Sequence, residues 1–120
     1  MALLPFRKKT EAVVTTDPMV VDFLQDFSIE VMPRTAKKVE NFRDHLPIGT
    51  RVYIAHIEGT SIEDMVTTVK RIAAEGYQVM PHCPARIIKD ETVLADWVAR
   101  YQGESGVDQA LVERVVRRDA

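Results

Sequence analysis

Phe27-Ser28-Ile29-Glu30-Val31-Met32-Pro33-Arg34 is the stretch from which the fold is read. Its β-branched and aromatic residues favour a strand, and Pro33 punctuates the C-terminal end. Alternation along a strand puts Phe27, Ile29 and Val31 on one face and Ser28, Glu30 and Met32 on the other. A carboxylate flanked by apolar residues loses hydration, so it needs a partner or favours its protonated form. Two readings follow. Glu30 is either a solvated carboxylate on an edge strand or an acid at the mouth of an α/β sheet, tuned to deliver a proton.

Outward from this strand the chain alternates in type. Residues 1–16, with Arg7-Lys8-Lys9-Thr10-Glu11, read as a polar leader before a domain spanning 17–120. Asp17-Pro18 predicts a capped short helix with Met19, Val20, Phe23 and Leu24 on one face, leading into the first strand. After Pro33, Thr35 predicts a cap for a helix from about Ala36 to His45, with Ala36, Val39, Phe42 and Leu46 as its buried stripe. Pro47-Ile48-Gly49 breaks it. Arg51 to Ile57 reads as the second strand. A helix then begins at a capping box, Thr60 with Glu63 or Ser61 with Asp64. It buries Met65, Val66, Val69, Ile72 and Ala73 and ends at Gly76 as its C′ residue. Tyr77-Gln78-Val79-Met80 is a third strand closed by Pro81, and Asp90 caps a last helix that Gly103 stops. The stretch from Val107 to Val112 is ambiguous. It begins a fourth strand, or Leu111, Val112, Val115 and Val116 form a helix capped by Asp108.

Strands alternating with helices through short loops predict an α/β fold of repeated βα units with a parallel sheet. Loops after the strands then gather at one end, and Glu30, His56 and His82 all sit at such ends. Three units and half of a fourth are too few to close an eight-stranded barrel.

Composition narrows the function classes. A chain of 120 residues, 46% hydrophobic and 28% charged, suits one domain with a real core. A net charge of −2 gives no electrostatic case for nucleic acid or an anionic membrane. The lone Cys83 excludes an internal disulfide and points to a reducing compartment, by default the cytoplasm. No apolar run approaches the ~20 residues of a membrane span. A metal site is not expected, because His56 lacks a second ligand at a suitable spacing and His82-Cys83 are adjacent. No glycine-rich nucleotide loop is present. Cys83 has no base near it in sequence and reads as buried, as do Met65, Met80 and Trp97. Histidine beside proline at a strand end is often only a polar residue at a turn.

Ile29-Glu30-Val31-Met32-Pro33-Arg34, Val52-Tyr53-Ile54-Ala55-His56 and Met80-Pro81-His82-Cys83, in this order, resemble the methylenetetrahydrofolate reductase family. The resemblance runs from about Phe27 to Val112. It implies a partial TIM (β/α)8 barrel that binds FAD at the C-terminal ends of its strands. It also implies hydride transfer from NAD(P)H through the flavin to methylenetetrahydrofolate. Glu30 matches the family's general acid, which protonates the folate as its imidazolidine ring opens. Pro81-His82 match a flavin contact at the third strand. At the second strand end, Ala55 stands where the family commonly has threonine, with His56 next. Arg34 replaces a second proline. Where the family carries a glycine-rich flavin-binding loop, this chain has Glu113-Arg114-Val115-Val116-Arg117-Arg118-Asp119-Ala120. The implied protein is therefore the N-terminal part of the barrel, truncated before its later strands. The alternative expectation is a non-catalytic half-barrel that forms homo-oligomers or binds a partner through its open sheet edge.

Overall fold

Four short runs form the strands, β1 (Ser28–Val31), β2 (Arg51–Ile54), β3 (Gln78–Pro84) and β4 (Leu111–Glu113), of which β1 and β2 are rich in β-branched or aromatic residues. In the computed structural model, which describes residues 16–114, they make one sheet in the order β1-β2-β3-β4. All three pairings are parallel. The register aligns Ile29 with Val52 and Val52 with Val79, while Glu30 aligns with Tyr53 and Tyr53 with Met80. Further along, His82 lies beside Leu111 and Pro84 beside Glu113. Side chains alternate along each strand, so this register sorts the sheet into an apolar face and a polar one.

Val52, Ile54 and Val79 fill the apolar face and are buried. The 13-residue helix Ile62–Ala74 packs Met65, Val66, Val69 and Ile72 into the same core. Each such side chain, fully buried, contributes about 1.5–3 kcal/mol of transfer free energy. The helix starts where Ser61 accepts a hydrogen bond from the Asp64 amide at 3.1 Å, which selects the second of the two capping possibilities. It ends at Gly76, whose φ of +105° a side chain would strain.

The segment between β1 and β2 differs from expectation. The helix expected from Ala36 to His45 is replaced by one turn at Pro33–Ala36, a loop, and a 3-10 turn at Phe42–Asp44. The reason is competition for its carbonyls. Arg71 reaches across and donates to the carbonyls of Ala36 (2.8 Å), Val39 and Glu40 (3.1 Å). Its guanidinium also lies 5.1 Å from the Phe42 ring centroid. Glu75 accepts from the Phe42 amide at 2.9 Å. Phe42 and Ala36 still reach the core, through a loop held by long-range polar bonds.

Two strands also change length. β2 ends at Ile54, short of the expected Ile57, whereas β3 continues past Pro81 to Pro84. β3 pairs with β2 as far as Pro81 and with β4 from His82 onward. The missing proline N–H therefore falls where the strand changes neighbour and interrupts neither ladder. The last helix, Glu91–Arg100, is capped by Asp90, which accepts from the Val93 amide at 2.9 Å. It passes Gly103 as a π-turn over Tyr101–Ser105 and stops at Gly106, with φ +74°. That turn docks on Ile62–Ala74 through Ser105, which donates to the Val66 carbonyl at 3.2 Å. Arg100 pairs with Glu63 at 3.1 Å and Glu104 at 3.2 Å.

The ambiguous C-terminal stretch contains strand β4; the helical alternative's Val115 and Val116 lie outside the described residues. The polar leader, apart from Thr16, lies outside them too. The helix Pro18–Phe23 forms as expected, capped by Asp17, but it buries none of its residues. Phe23 is 86% exposed and Met19 80%. Among the described residues no helix is long and apolar enough to cross a membrane.

Candidate functional site on the open face of the sheet

The other face of the sheet carries Glu30, Tyr53, Met80 and His82, and Ile62–Ala74 lies on the opposite side. The strand register is what assembles these residues, because apart from Met80 and His82, both on β3, none is a near neighbour of another in sequence. His82 is the centre. Only 5% of it is exposed, although it is a polar residue on the face away from the core helix. Its Nε2 lies 3.4 Å from Glu30 Oε1 on β1, and its Nδ1 lies 3.0 Å from Glu113 Oε1 on β4. The Tyr53 ring meets the imidazole edge-on, with centroids 6.1 Å apart and planes at 62°.

Both carboxylate contacts are ion-pair proximities, and the Glu113 contact is the shorter. The Glu30 approach is at ion-pair distance but without hydrogen-bond alignment, so His82 Nε2 is a buried nitrogen lacking a hydrogen-bond partner. The distance describes proximity and the alignment describes bonding; for proton exchange the proximity matters, because a small side-chain rotation supplies the alignment. Glu30 can rotate. Its side chain is 59% exposed, and the dry apolar surroundings expected for it are absent among the described residues.

The other residues expected at the site lie apart from this cluster. His56 turns to the helix side. It stacks on Trp97 with centroids 4.9 Å apart, and its Nε2 lies 3.1 Å from the Thr60 carbonyl. A carbonyl only accepts, so Nε2 carries the hydrogen and Nδ1 is a buried acceptor without a partner. Burial pushes the His56 pKa below the ordinary histidine value; the Thr60 carbonyl opposes this shift and nearby His82 adds to it. Ala55 is buried, and its amide is spent on the Val31 carbonyl at 2.7 Å, so it presents no free backbone donor. Cys83 faces the helix side, where burial pushes its thiol pKa up and away from thiolate chemistry.

No family model matches this sequence. The site therefore rests on its own geometry. Among the described residues no group of three or more histidine, cysteine or acidic side chains is arranged to hold a metal. Glu30 and Glu113 contact opposite nitrogens of one ring and so do not converge on a single point. A cleft of about 500 Å³ opens at the C-terminal ends of β1 and β2, between Met32-Pro33-Arg34 and Ile57-Glu58-Gly59-Thr60. It sets Arg34 and Lys37 against Glu58 and Asp64. A slightly larger cavity of about 550 Å³ lies at the strands' N-terminal ends, beside Phe27, Arg51 and Gln78. Size does not decide between them: in parallel α/β sheets ligands bind at the carboxyl ends of strands.

Glu113 is the functional candidate that sequence reasoning missed. In the sequence it stands only at the head of the charged stretch Glu113-Arg114-Val115-Val116-Arg117-Arg118. Treating Leu111 and Val112 as a parallel strand beside β3 brings Glu113 to the third-strand end, which is the signal that identifies it.

The cluster was also tested against the flavin that the resemblance implies. His82 Nε2 is an orphaned buried polar atom, and half-buried Tyr53 and Met80 share its face. Those features fit the edge of a flat heteroaromatic ring. His56 and Ala55, as placed, do not add to that fit.

Proposed function

We propose that this chain forms the first four strands of a (β/α)8 barrel of the methylenetetrahydrofolate reductase kind. Its reaction is reduction of methylenetetrahydrofolate to methyltetrahydrofolate with NAD(P)H and FAD. One observation carries the reading: strands distant in sequence bring Glu30 and His82 to 3.4 Å on the sheet face away from the core helix. The unreversed strand order adds support, because a doubly wound sheet reverses its order at its ligand site and a barrel wall does not.

When bound, FAD supplies the hydride relay between nicotinamide and folate. The His82 imidazole supports the ring edge from the sheet face, flanked by Tyr53 and Met80. Glu30 is the residue placed to pass a proton to the folate nitrogen as its imidazolidine ring opens. Its exposed carboxyl on a rigid strand reaches a substrate lying over the face while the backbone stays fixed. Arg34 and Lys37 at the adjoining cleft offer cations to the anionic groups of such ligands. Replacing Glu30 by Gln removes the acid and keeps the shape. Flavin reduction by NAD(P)H is then retained, while folate reduction slows about a hundredfold or more. Equal loss in both half-reactions removes Glu30 from the acid role.

A second reading has its own observations. β1 and β4 are both edge strands among the described residues, and Met19, Phe23 and Val112 are exposed. Unpaired edges and apolar patches favour association, so self-association of a non-catalytic half-barrel is the alternative. It predicts a mass in solution that rises with concentration and no flavin binding in any oligomer.

A further inference from the structure

The least explained group at the site is Glu113, and its contact with His82 has a consequence for proton traffic. Oε1 of Glu113 sits 3.0 Å from Nδ1 of a ring that is only 5% exposed. Two acceptor lone pairs do not sit stably at that distance, so the hydrogen of the neutral imidazole belongs on Nδ1. Nε2 is then a bare acceptor, directed to the side where Glu30 Oε1 lies 3.4 Å away. The charged or titratable groups around the ring are Glu30 from β1, Tyr53 from β2 and Glu113 from β4, with His56 behind it. None of the others contacts Nδ1.

We propose that Glu113 is a positioning residue that holds His82 in the Nδ1–H tautomer, making Nε2 the atom that exchanges protons with Glu30. This rests on the acid role assigned to Glu30 above. After Glu30 gives up its proton it is a carboxylate. A proton on Nε2 then moves to Glu30 Oε1: the N–H bond breaks and the O–H bond forms. The ring returns to its neutral Nδ1–H form, still held by Glu113. When the exposed Glu30 side chain rotates aside, a hydronium ion re-protonates Nε2 and leaves as water, so each turn of the cycle consumes one solvent proton for the one given to substrate. Glu113 is 43% exposed at the side chain, with one oxygen facing the ring. His56 shows the opposite arrangement, with its hydrogen on Nε2 through the Thr60 carbonyl.

The test is the ring-nitrogen NMR of the ¹⁵N-histidine-labelled 120-residue chain, above the histidine titration range and without flavin. The expected spectrum has His82 protonated on Nδ1 and His56 on Nε2. Glu113→Ala moves the His82 hydrogen to Nε2, whereas Glu113→Gln restores Nδ1–H because its amide oxygen still accepts. Glu30→Gln leaves the tautomer in place. An unchanged His56 signal certifies that each variant is folded. An Nε2–H form of His82 in the parent chain overturns the proposal, as does an unchanged tautomer in Glu113→Ala. FAD titration of the same samples separates the two claims. An Nδ1–H signal without flavin binding sinks the cofactor reading alone, and flavin binding with an Nε2–H signal sinks the positioning role alone.

Discussion

The two faces of the sheet are built from the same strands and obey different rules. On the helix side, Val52, Ile54 and Val79 lock against Met65, Val66, Val69 and Ile72, and burial there disfavours the charged forms of His56 and Cys83. On the open side, Glu30, His82 and Glu113 are drawn together by register and answer to charge and tautomer. The helix face holds the backbone still, and that rigidity lets three strands present their polar side chains at fixed spacing. Stability and chemistry are thus divided by the two-residue period of the strand.

The largest expected break in that contrast is Ile54→Ala, which opens a cavity in the packed face. It should destabilise by about 2–5 kcal/mol, read from the denaturant midpoint. Its neighbour on the open face, Tyr53→Ala, should cost clearly less, since Tyr53 is half-exposed; equal losses erase the division between faces. Arg71→Met comes next. It removes the donor that satisfies three loop carbonyls and should cost about 1.5–3 kcal/mol, with hydrogen exchange rising across 36–42. A smaller loss comes from acid. His56 has its folded pKa lowered chiefly by burial, so the unfolded chain binds the proton more readily. Its contribution is fully present above the unfolded value near 6.5 and declines as pH falls below it. His56→Gln should flatten that part of the stability profile below about pH 6.5. An identical slope removes His56 as the cause. Smallest of all is Glu113→Ala, on an edge strand, expected within about 0.5 kcal/mol of the parent in stability. Its effect belongs to the tautomer of His82.

Much of the helix face was legible in the sequence, because the 3.6-residue period of Met65, Val66, Val69 and Ile72 and the alternation of Val52 and Ile54 are local signals. The loop after Pro33 was not. Its apolar spacing suits a helix, and only the guanidinium of Arg71, some thirty residues away, decides otherwise. β3 was drawn too short because proline is a reliable strand breaker unless its missing N–H falls at a change of neighbour. At the site, Glu30 and His82 were visible as strand-end residues, but His56 was grouped with them by position and Ala55 through the family resemblance. The side to which the His56 ring turns depends on Thr60 in the following loop and on Trp97 in the last helix. Glu113 was hidden by the ambiguity of its own segment.

The central claim is that the open face binds a flavin through His82. The most direct measurement is the visible spectrum of the purified chain after saturation with FAD and removal of the unbound excess, beside His82→Ala treated identically. The account predicts a retained, protein-shifted flavin spectrum in the parent and a weakened one in the variant. A colourless parent, or full retention by His82→Ala, would contradict it.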